Sequence, residues 1–200
     1  EFNLKIPVIN TFKNDKYSEI DFKHFLRKNK NYTFFIFKNK TSLGSNDIIV
    51  FKKDIVLDEY KSQNYQDYII QPYLENYKVH SINLLAYNGK ILDFLITSQE
   101  NNFSKDNIFG KNIFKPERKI LNKNNKYYNK ILNYANILLK QNNYNGFAEI
   151  EFLCNNEVLL LEVNPRISAH LFNIDKNNNF VYVDKLIMTY IDLFKNKKTP

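Results

Sequence analysis

The most informative stretch of this sequence is NGFAEIEFLCNNEVLLLEVNPRISAH, residues 145–170. Two runs rich in aliphatic and aromatic residues flank the letters CNN, a pattern that predicts two β-strands joined in a hairpin. Asn tolerates the positive φ of a tight turn, so we expect the turn to be centred on Asn155 and Asn156. The second run is aliphatic from residue 158 to residue 161 and then ends in Glu-Val-Asn-Pro-Arg. Polar side chains at the end of so apolar a strand favour a functional site over an ordinary solvated sheet face.

Side-chain alternation gathers the polar residues of this predicted hairpin on one face. A tight turn places Glu149 opposite Glu162 and Glu151 opposite Leu160. The predicted polar face comprises Glu149, Glu151, Glu162 and Asn164, and the predicted core face comprises Ala148, Ile150, Phe152, Leu161 and Val163. Like charges directly opposite one another destabilise a strand pair, and a divalent cation removes that penalty. Mg²⁺ is usually held by one or two carboxylates together with substrate phosphates, so this face is a candidate magnesium site.

Arg166 follows the predicted strand end, directly after Pro165. A guanidinium at this position can donate two hydrogen bonds to a developing oxyanion or to a substrate carboxylate. We therefore expect Arg166 to act beyond the metal site, on the reacting groups.

The remaining patterns of the chain form two groups of helices and strands. Ser18 caps an amphipathic helix, and the dipeptide Asn88-Gly89 predicts a hairpin turn. The predicted order is β-α-β-β-α-β followed by β-β-α-β-β-α, which indicates an α+β fold with largely antiparallel sheets. Residues 100–124 are polar and are expected to form a long loop. A domain boundary is expected near residue 71, where a proline ends a strand.

The composition of the 200-residue chain excludes several classes of protein. Its net charge is +8, but the lysines are scattered and arginine is scarce, which argues against a nucleic-acid-binding surface. No apolar run is long enough to span a membrane. The single cysteine, Cys154, cannot form an internal disulfide and fits a reducing compartment, so we expect a cytoplasmic protein. The three histidines, His24, His80 and His170, have no diagnostic spacing and are interpreted as structural.

The stretch GFAEIEFL…LLLEVNPRIS resembles the metal-binding hairpin of the ATP-grasp superfamily, which includes biotin carboxylase, carbamoyl phosphate synthetase and many carboxylate–amine ligases. In that family a Glu on the first strand and a Glu-x-Asn pair on the second hold Mg²⁺ against the ATP phosphates. The resemblance implies that the metal ligands here are Glu151, Glu162 and Asn164. It also implies that Arg166 contacts the transferred phosphate or the acyl substrate. Glu149 is an extra carboxylate on the same face, with no role assigned.

The resemblance extends through nearly the whole chain. LKIPVINTF is similar to the strand that opens the ATP-grasp lid, and FFIFKNKTSLGSNDIIVFKK is similar to the strand, lysine and flexible loop that cover the phosphates. This loop is poorer in glycine than the family pattern. The residues in the positions of the phosphate contacts are Lys38, Gly44 and Ser45. IIQPYL resembles the hinge that faces adenine, and the residues in the positions of the adenine contacts are Gln71, Tyr73 and Leu74.

Membership of this superfamily implies two α+β lobes with mostly antiparallel sheets that clasp a nucleotide. The lid is expected in residues 1–70 and the central and C-terminal portion in residues 71–200. The implied cofactors are ATP and Mg²⁺ or Mn²⁺, and the implied substrates are a small-molecule carboxylate and an amine. Family members carry an N-terminal domain ahead of the lid, which we expect to be missing from this chain or supplied by a partner. Two functions stay open: an ATP-dependent ligase core, and an ATP-binding module or subunit fragment without turnover.

Overall fold

The computed structural model describes residues 6–13, 18–41, 48–62, 67–100, 117–176 and 181–195. The chain divides into two compact units, and it passes from one to the other at residues 8–9 and again at residues 76–77. The strand pairs that build the two sheets are all antiparallel, so the predicted α+β fold with mostly antiparallel sheets is confirmed. No helix within these ranges is long and apolar enough to cross a membrane.

The four-stranded unit, residues 9–76, is built around a core of phenylalanine rings. Its elements are β1 (Phe12–Lys13), α1 (Glu19–Lys28), β2 (Phe34–Asn39), β3 (Ile48–Lys52), α2 (Val56–Ser62) and β4 (Tyr68–Pro72), with the strands in the order β1-β4-β2-β3. The predicted cap of α1 is present: the Asp21 backbone N–H donates to Ser18 Oγ at 3.4 Å, and the Ser18 N–H donates to Asp21 Oδ2 at 2.8 Å. Phe22 and Phe25 on this helix face the core, whereas Ile20 is exposed.

The five-stranded unit holds residues 6–8 and the chain from residue 77 onward. Its elements are β5 (Lys78–Tyr87), β6 (Lys90–Glu100), β7 (Glu117–Ile120), α3 (Tyr128–Gln141), β8 (Gly146–Cys154), β9 (Val158–Asn164), α4 (Ala169–Asp175) and α5 (Val181–Lys195), with the strands in the order β7-β6-β5-β8-β9. Helix α3 covers one face of the sheet through Ile131, Ala135 and Leu138. Helices α4 and α5 pack on the opposite face through Leu171 and Val183. We call this second face the site face, because it carries the predicted polar residues.

The turn between β5 and β6 confirms the hairpin predicted at Asn88 and Gly89. Both residues have positive φ, 49° and 69°, as a tight hairpin turn requires. Gly89 is also packed closely: a Cβ at this position would lie 2.9 Å from the Cα of Lys140, near the end of α3. The Gly89 N–H donates to the carbonyl of Tyr144, so the turn and the chain after α3 are joined by backbone contact.

The polar region predicted as a loop over residues 100–124 is partly a strand. β6 continues to Glu100, and β7 pairs with it through Thr97↔Ile120 and Gln99↔Arg118. β7 is the outermost strand of the described sheet, so one buried face is enough to stabilise it and its composition stays polar. The loop prediction was therefore wrong for residues 117–120, while residues 101–116 lie outside the described part of the chain.

His80 in β5 gives the five-stranded unit a sensitivity to acid. It is 2% exposed, its ring lies 5.5 Å from the Tyr127 ring, and neither ring nitrogen has a hydrogen-bond partner among the described residues. Burial lowers the pKa of His80 to about 4, below the value of 6.5 expected when the chain is unfolded. The unfolded state therefore takes up the proton first. The stability that neutral His80 supports is complete above about pH 6.5 and is lost as the pH falls towards 4.

We predict that the free energy of unfolding falls by about 3 kcal/mol between pH 7 and pH 4 through this residue alone. His80→Leu should flatten that part of the profile, measured by urea denaturation at a series of pH values. His24→Leu is the matched control, because it makes the same substitution at an exposed position on α1. A slope that persists in His80→Leu would assign the acid sensitivity to other groups.

Candidate active site

The hairpin of β8 and β9 forms as predicted, but with a different register. The structure pairs Glu151 with Glu162 and Glu149 with Asn164. The prediction of Glu149 opposite Glu162 and Glu151 opposite Leu160 was therefore wrong. The four polar side chains nevertheless share the site face, because directly paired residues of an antiparallel pair point to the same side.

Two local features explain the shifted register. Cys154 pairs with Val158, so the turn spans three residues, and the Asn155 N–H donates to the Glu157 carbonyl at 3.0 Å. A β-bulge then follows between the pairs Phe152↔Leu160 and Glu151↔Glu162, which leaves Leu161 as the extra residue. Phe152 and Leu160 consequently contribute to the α3 side of the sheet.

Val163 does not lie in the core as predicted. It pairs with Ile150, but its side chain is 46% exposed. The reason is its position on β9, the outermost strand beside β8, near the end of the sheet. The prediction that Leu161 lies on the core face also rested on simple alternation. Leu161 is the extra residue of the bulge, so alternation does not set its orientation.

One row of paired residues crosses the site face. Thr97 pairs with Ser81, Ser81 with Glu151, and Glu151 with Glu162. The Ser81 hydroxyl donates to Glu151 Oε1 at 2.9 Å. The first predicted metal ligand is thus fixed by its neighbour in the row, while Glu162 lies at the exposed end.

The sequence analysis missed Arg118, which supplies the buried positive charge of this face. Its side chain is 6% exposed, and Nη2 donates to Glu151 Oε1 at 2.6 Å. Nη1 donates to Glu149 Oε1 at 3.4 Å and also to the Ser81 hydroxyl. Two carboxylates on one buried face require a compensating positive charge. That requirement could have predicted a buried arginine as well as the metal ion that was expected.

Glu149 is the most enclosed carboxylate of the site face, at 2% exposure. Its Oε2 accepts a hydrogen bond from Arg166 Nη1 at 3.2 Å, and Ser168 lies beside this carboxylate. Burial raises the pKa of Glu149, and the charge of Glu151 acts in the same direction. Ser168, Arg118 and Arg166 act in the opposite direction and lower the pKa of Glu149. An ionised Glu149 in this position therefore depends on Arg118 and Arg166.

Glu162 and Asn164 form the exposed side of the site. Asn164 Nδ2 donates to Glu162 Oε1 at 2.8 Å, so the amide oxygen of Asn164 points away from that bond. The Arg166 N–H donates to the Asn164 carbonyl at 2.8 Å, which fixes the chain just past the strand. Arg166 itself has a 55% exposed side chain. Its guanidinium thus combines one buried anchor, Glu149, with a surface open to solvent.

The donor set fits a hard divalent cation in its chemistry. Glu151 and Glu162 are directly paired carboxylates, and Asn164 adds an amide oxygen on the same face. None of the contacts formed by the described residues uses Oε2 of Glu151, so that oxygen is available to a ligand. No group of three or more His, Cys, Asp or Glu side chains in the described ranges could hold a metal by itself. Two carboxylates and an amide agree with Mg²⁺, which typically takes further oxygens from water and phosphates.

His170 lies in the first turn of α4, close to the charges of this site. Its backbone N–H donates to Ser168 Oγ at 3.2 Å, which caps the helix. Burial lowers the pKa of His170, and the charges of Arg118 and Arg166 lower it further. The imidazole is therefore favoured in its neutral form, which agrees with the structural role assigned to it.

The residues with predicted nucleotide contacts belong to the four-stranded unit. Lys38 lies in β2 opposite Ile48 and Ile69. Gln71 lies in β4; its Nε2 donates to Thr11 Oγ1 at 2.8 Å, and its buried Oε1 has no partner in the described part of the chain. The other two adenine-contact candidates, Tyr73 and Leu74, are half-buried, and the Tyr73 N–H donates to the Phe34 carbonyl. Gly44 and Ser45 lie outside the described residues.

Solved structures with the same fold are numerous but distant in sequence. A D-cycloserine synthetase superposes with a TM-score of 0.62 at 12% identity, covering 84% of this chain and 60% of that protein. D-alanyl-alanine synthetase A from Vibrio cholerae gives 0.59 at 11% identity, covering 81% of this chain and 51% of that protein. N5-carboxyaminoimidazole synthetase from Staphylococcus aureus gives 0.59 at 17% identity, covering 84% and 42%. The chain thus spans about 40–60% of the length of these proteins.

No curated protein sequence matches the chain significantly. The family comparison does match: the ATP-grasp domain aligns with residues 3–170. That range includes the hairpin with its paired glutamates, Asn164 and Arg166, and both sheets. The chain therefore belongs to the ATP-grasp family.

Proposed function

We propose that this chain is the nucleotide-binding core of an ATP-dependent ligase that joins a carboxylate to an amine. The observation that carries the proposal is the Glu151↔Glu162 pair beside Asn164, with Arg166 two residues further on, in a chain of the ATP-grasp family. A protein that only bound ATP would not require a solvent-exposed guanidinium beside the proposed metal ligands. The three structural relatives named above are synthetases by name.

The proposed reaction has two steps. A substrate carboxylate oxygen attacks the γ-phosphorus of ATP, the bond from that phosphorus to the bridging oxygen breaks, and ADP leaves. The amine nitrogen then attacks the carbonyl carbon of the acyl phosphate, the bond to the phosphate oxygen breaks, and inorganic phosphate leaves as the nitrogen loses a proton. Catalysis by positioning and charge neutralisation suits this chemistry. Arg166 is the proposed catalytic residue, because its guanidinium can donate to the oxyanion that forms at the carbonyl.

The proposed metal ligands are Glu151, Glu162 and Asn164, for Mg²⁺ or Mn²⁺. The cation would neutralise phosphate charge and orient the transferred group. A structural relative, the biotin carboxylase domain of 2-oxoglutarate carboxylase from Hydrogenobacter thermophilus, was determined with MgADP and bicarbonate. Among the described residues, Ser81 and Arg118 both contact Glu151 through Oε1, which leaves Oε2 for the proposed cation.

The proposed nucleotide contacts come from the lid portion, residues 1–70, and the hinge after it. Lys38, Gly44 and Ser45 would contact the phosphates. Gln71, Tyr73 and Leu74 would contact adenine. The unpartnered Oε1 of buried Gln71 supports this assignment, because a buried amide oxygen gains a hydrogen bond when a donor such as an exocyclic amine arrives. We also propose that the protein works in the cytoplasm, where its single buried thiol, Cys154, stays reduced.

The proposal is tested by measuring ligand binding and turnover separately. Calorimetry with Mg·ATP tests the nucleotide site. ADP release in the presence of a panel of small carboxylic acids and amines tests the ligase reaction. Mg·ATP binding with acceptor-dependent ADP release supports the ligase. Binding without ADP release across the panel favours an ATP-binding module, and no binding at all contradicts both.

We predict that Glu162→Gln weakens Mg·ATP binding by about 10–100-fold, because it removes one of two ligand carboxylates. The fold should survive, since Glu162 is exposed and loses a like-charged neighbour. Glu157→Gln is the matched control: it makes the same change in the same hairpin, at an exposed residue whose Oε1 accepts from the Tyr77 hydroxyl. Equal affinities for Glu162→Gln and the parent, measured by calorimetry, would remove Glu162 from the metal site.

A further inference from the structure

Glu149 is a buried carboxylate of the site face that the proposed reaction leaves without a role. Its two oxygens are each taken by a different arginine: Oε1 by Arg118 at 3.4 Å and Oε2 by Arg166 at 3.2 Å. The arginines come from separate parts of the chain, β7 and the segment after β9. Ser168, which is fully buried at the start of α4, lies beside the same carboxylate. Among the described residues, both oxygens of this carboxylate are therefore engaged by guanidinium groups.

The position of Glu149 within the sheet decides what it controls. Glu149 pairs with Asn164, and Arg166 lies two residues beyond Asn164 in the chain. The Arg166 side chain is 55% exposed, and its other contact among the described residues is with the carbonyl of Ile167, at 3.4 Å. Glu149 is therefore the anchor that keeps this guanidinium against the site face rather than in solvent.

The second arginine, Arg118, connects Glu149 with the proposed metal ligand Glu151. Arg118 Nη1 contacts Glu149 while Nη2 contacts Oε1 of Glu151. Two guanidinium groups so close repel one another, and the anion between them offsets that repulsion. Removing the charge of Glu149 would leave Arg118 held by Glu151 and Ser81, but would leave Arg166 with no buried partner among the described residues.

We propose that Glu149 is a positioning residue that holds Arg166 for contact with the transferred phosphoryl or acyl group, and that it is not a metal ligand. This inference rests on the proposed ligase function and deepens it. Glu149 acts through Arg166 and never touches substrate. Its loss should thus spare the binding of a ground-state nucleotide and weaken the binding of a complex that mimics the transferred group.

The experiment compares two probes on the full chain. Mg·ADP reports on the nucleotide and metal sites, and Mg·ADP with aluminium fluoride adds an anionic mimic of the transferred phosphoryl group. For Glu149→Gln we expect Mg·ADP affinity within about threefold of the parent and affinity for the fluoride complex reduced by about tenfold. Arg166→Lys should show the same split. The double variant should be no weaker than the worse single variant, because the two residues act as one unit.

Three results would overturn the proposal. A loss of Mg·ADP affinity like that of Glu162→Gln would make Glu149 a metal ligand. Equal losses for both probes would indicate a structural role only, and no loss for either would mean that Glu149 does not hold Arg166. If Glu149→Gln does not fold, Glu149→Asp keeps the charge on a shorter side chain that cannot reach both arginines, and should show the same split.

A measurement without nucleotide separates this proposal from the proposed function. Unfolding of Glu149→Gln, Arg166→Gln and the double variant forms a double-mutant cycle. Coupling between the two changes is expected from the ion pair, and its absence would overturn the positioning role. If the parent binds no Mg·ADP, the proposed function fails, and the cycle still decides whether Glu149 holds Arg166.

Discussion

Arg118→Met is expected to lower the free energy of unfolding by about 3–5 kcal/mol, as is typical when one partner of a buried ion pair is removed. The Arg118 side chain is 6% exposed and contacts two carboxylates at once. Methionine fills much of the same space, so the change removes charge and hydrogen bonds more than packing. Glu149 would retain Arg166, whereas Glu151 would retain only Ser81 among the contacts of the described residues.

The Arg118 prediction is measured by urea denaturation at neutral pH. Lys123→Met is the control, since it makes the same charge change at an exposed position shortly after β7. Adding Glu151→Gln to Arg118→Met should recover part of the loss, because it removes the carboxylate left without a cation. A loss below about 1 kcal/mol would mean that Arg118 behaves as a surface ion-pair residue, which its burial argues against.

Arg166→Lys is expected to lower turnover by about a hundredfold, comparable with the removal of one oxyanion donor. Lysine keeps the positive charge but has no planar fork, so it cannot contact Glu149 and a substrate oxygen with the same geometry. A contact that strengthens in the transition state affects turnover more than ground-state binding. Mg·ATP affinity should therefore stay within a few-fold of the parent.

The Arg166 assay measures ADP release at saturating Mg·ATP with an accepted acid and amine, on the protein together with any domain or partner that it needs. Arg27→Lys is the matched control, at an exposed position in the last turn of α1. Parallel losses of affinity and turnover would show that Arg166 binds ground state and transition state alike. Unfolding of Arg166→Lys would make it a structural ion-pair residue and would contradict its catalytic role.

Features set by neighbouring residues were predictable from the sequence. The Ser18 cap and the Asn88-Gly89 turn follow from local backbone chemistry, and both are present. The two strands on either side of residues 155–157 follow from β-propensity, although the turn has three residues rather than the predicted two and neither Asn155 nor Asn156 has positive φ. The side on which Glu151, Glu162 and Asn164 lie was predicted correctly only because the longer turn and the bulge each shift the pairing by one residue, so that the two shifts together restore the predicted side.

Features set by distant residues were not predictable in the same way. Arg118 occurs in a polar run, and its function depends on Ser81, Glu149 and Glu151, which are 31–37 positions away in the chain. Nothing local distinguishes it from the surrounding basic residues. The predicted register of β8 and β9 was wrong for a related reason. A uniform ladder was assumed, whereas β9 contains one extra residue, Leu161, at a bulge.

The extra residue, Leu161, changes the face of the sheet on which the even-numbered residues of β9 lie. Before it, the even-numbered Val158 and Leu160 lie on the α3 side; after it, the even-numbered Glu162 and Asn164 lie on the site face. The number of residues between the turn and Glu162 therefore matters as much as their identity. Any alignment of this hairpin with a bulge-free one must place a gap at the bulge. Without that gap, a residue of the core face would be matched with a residue of the site face, and both would be assigned to the wrong face of the sheet.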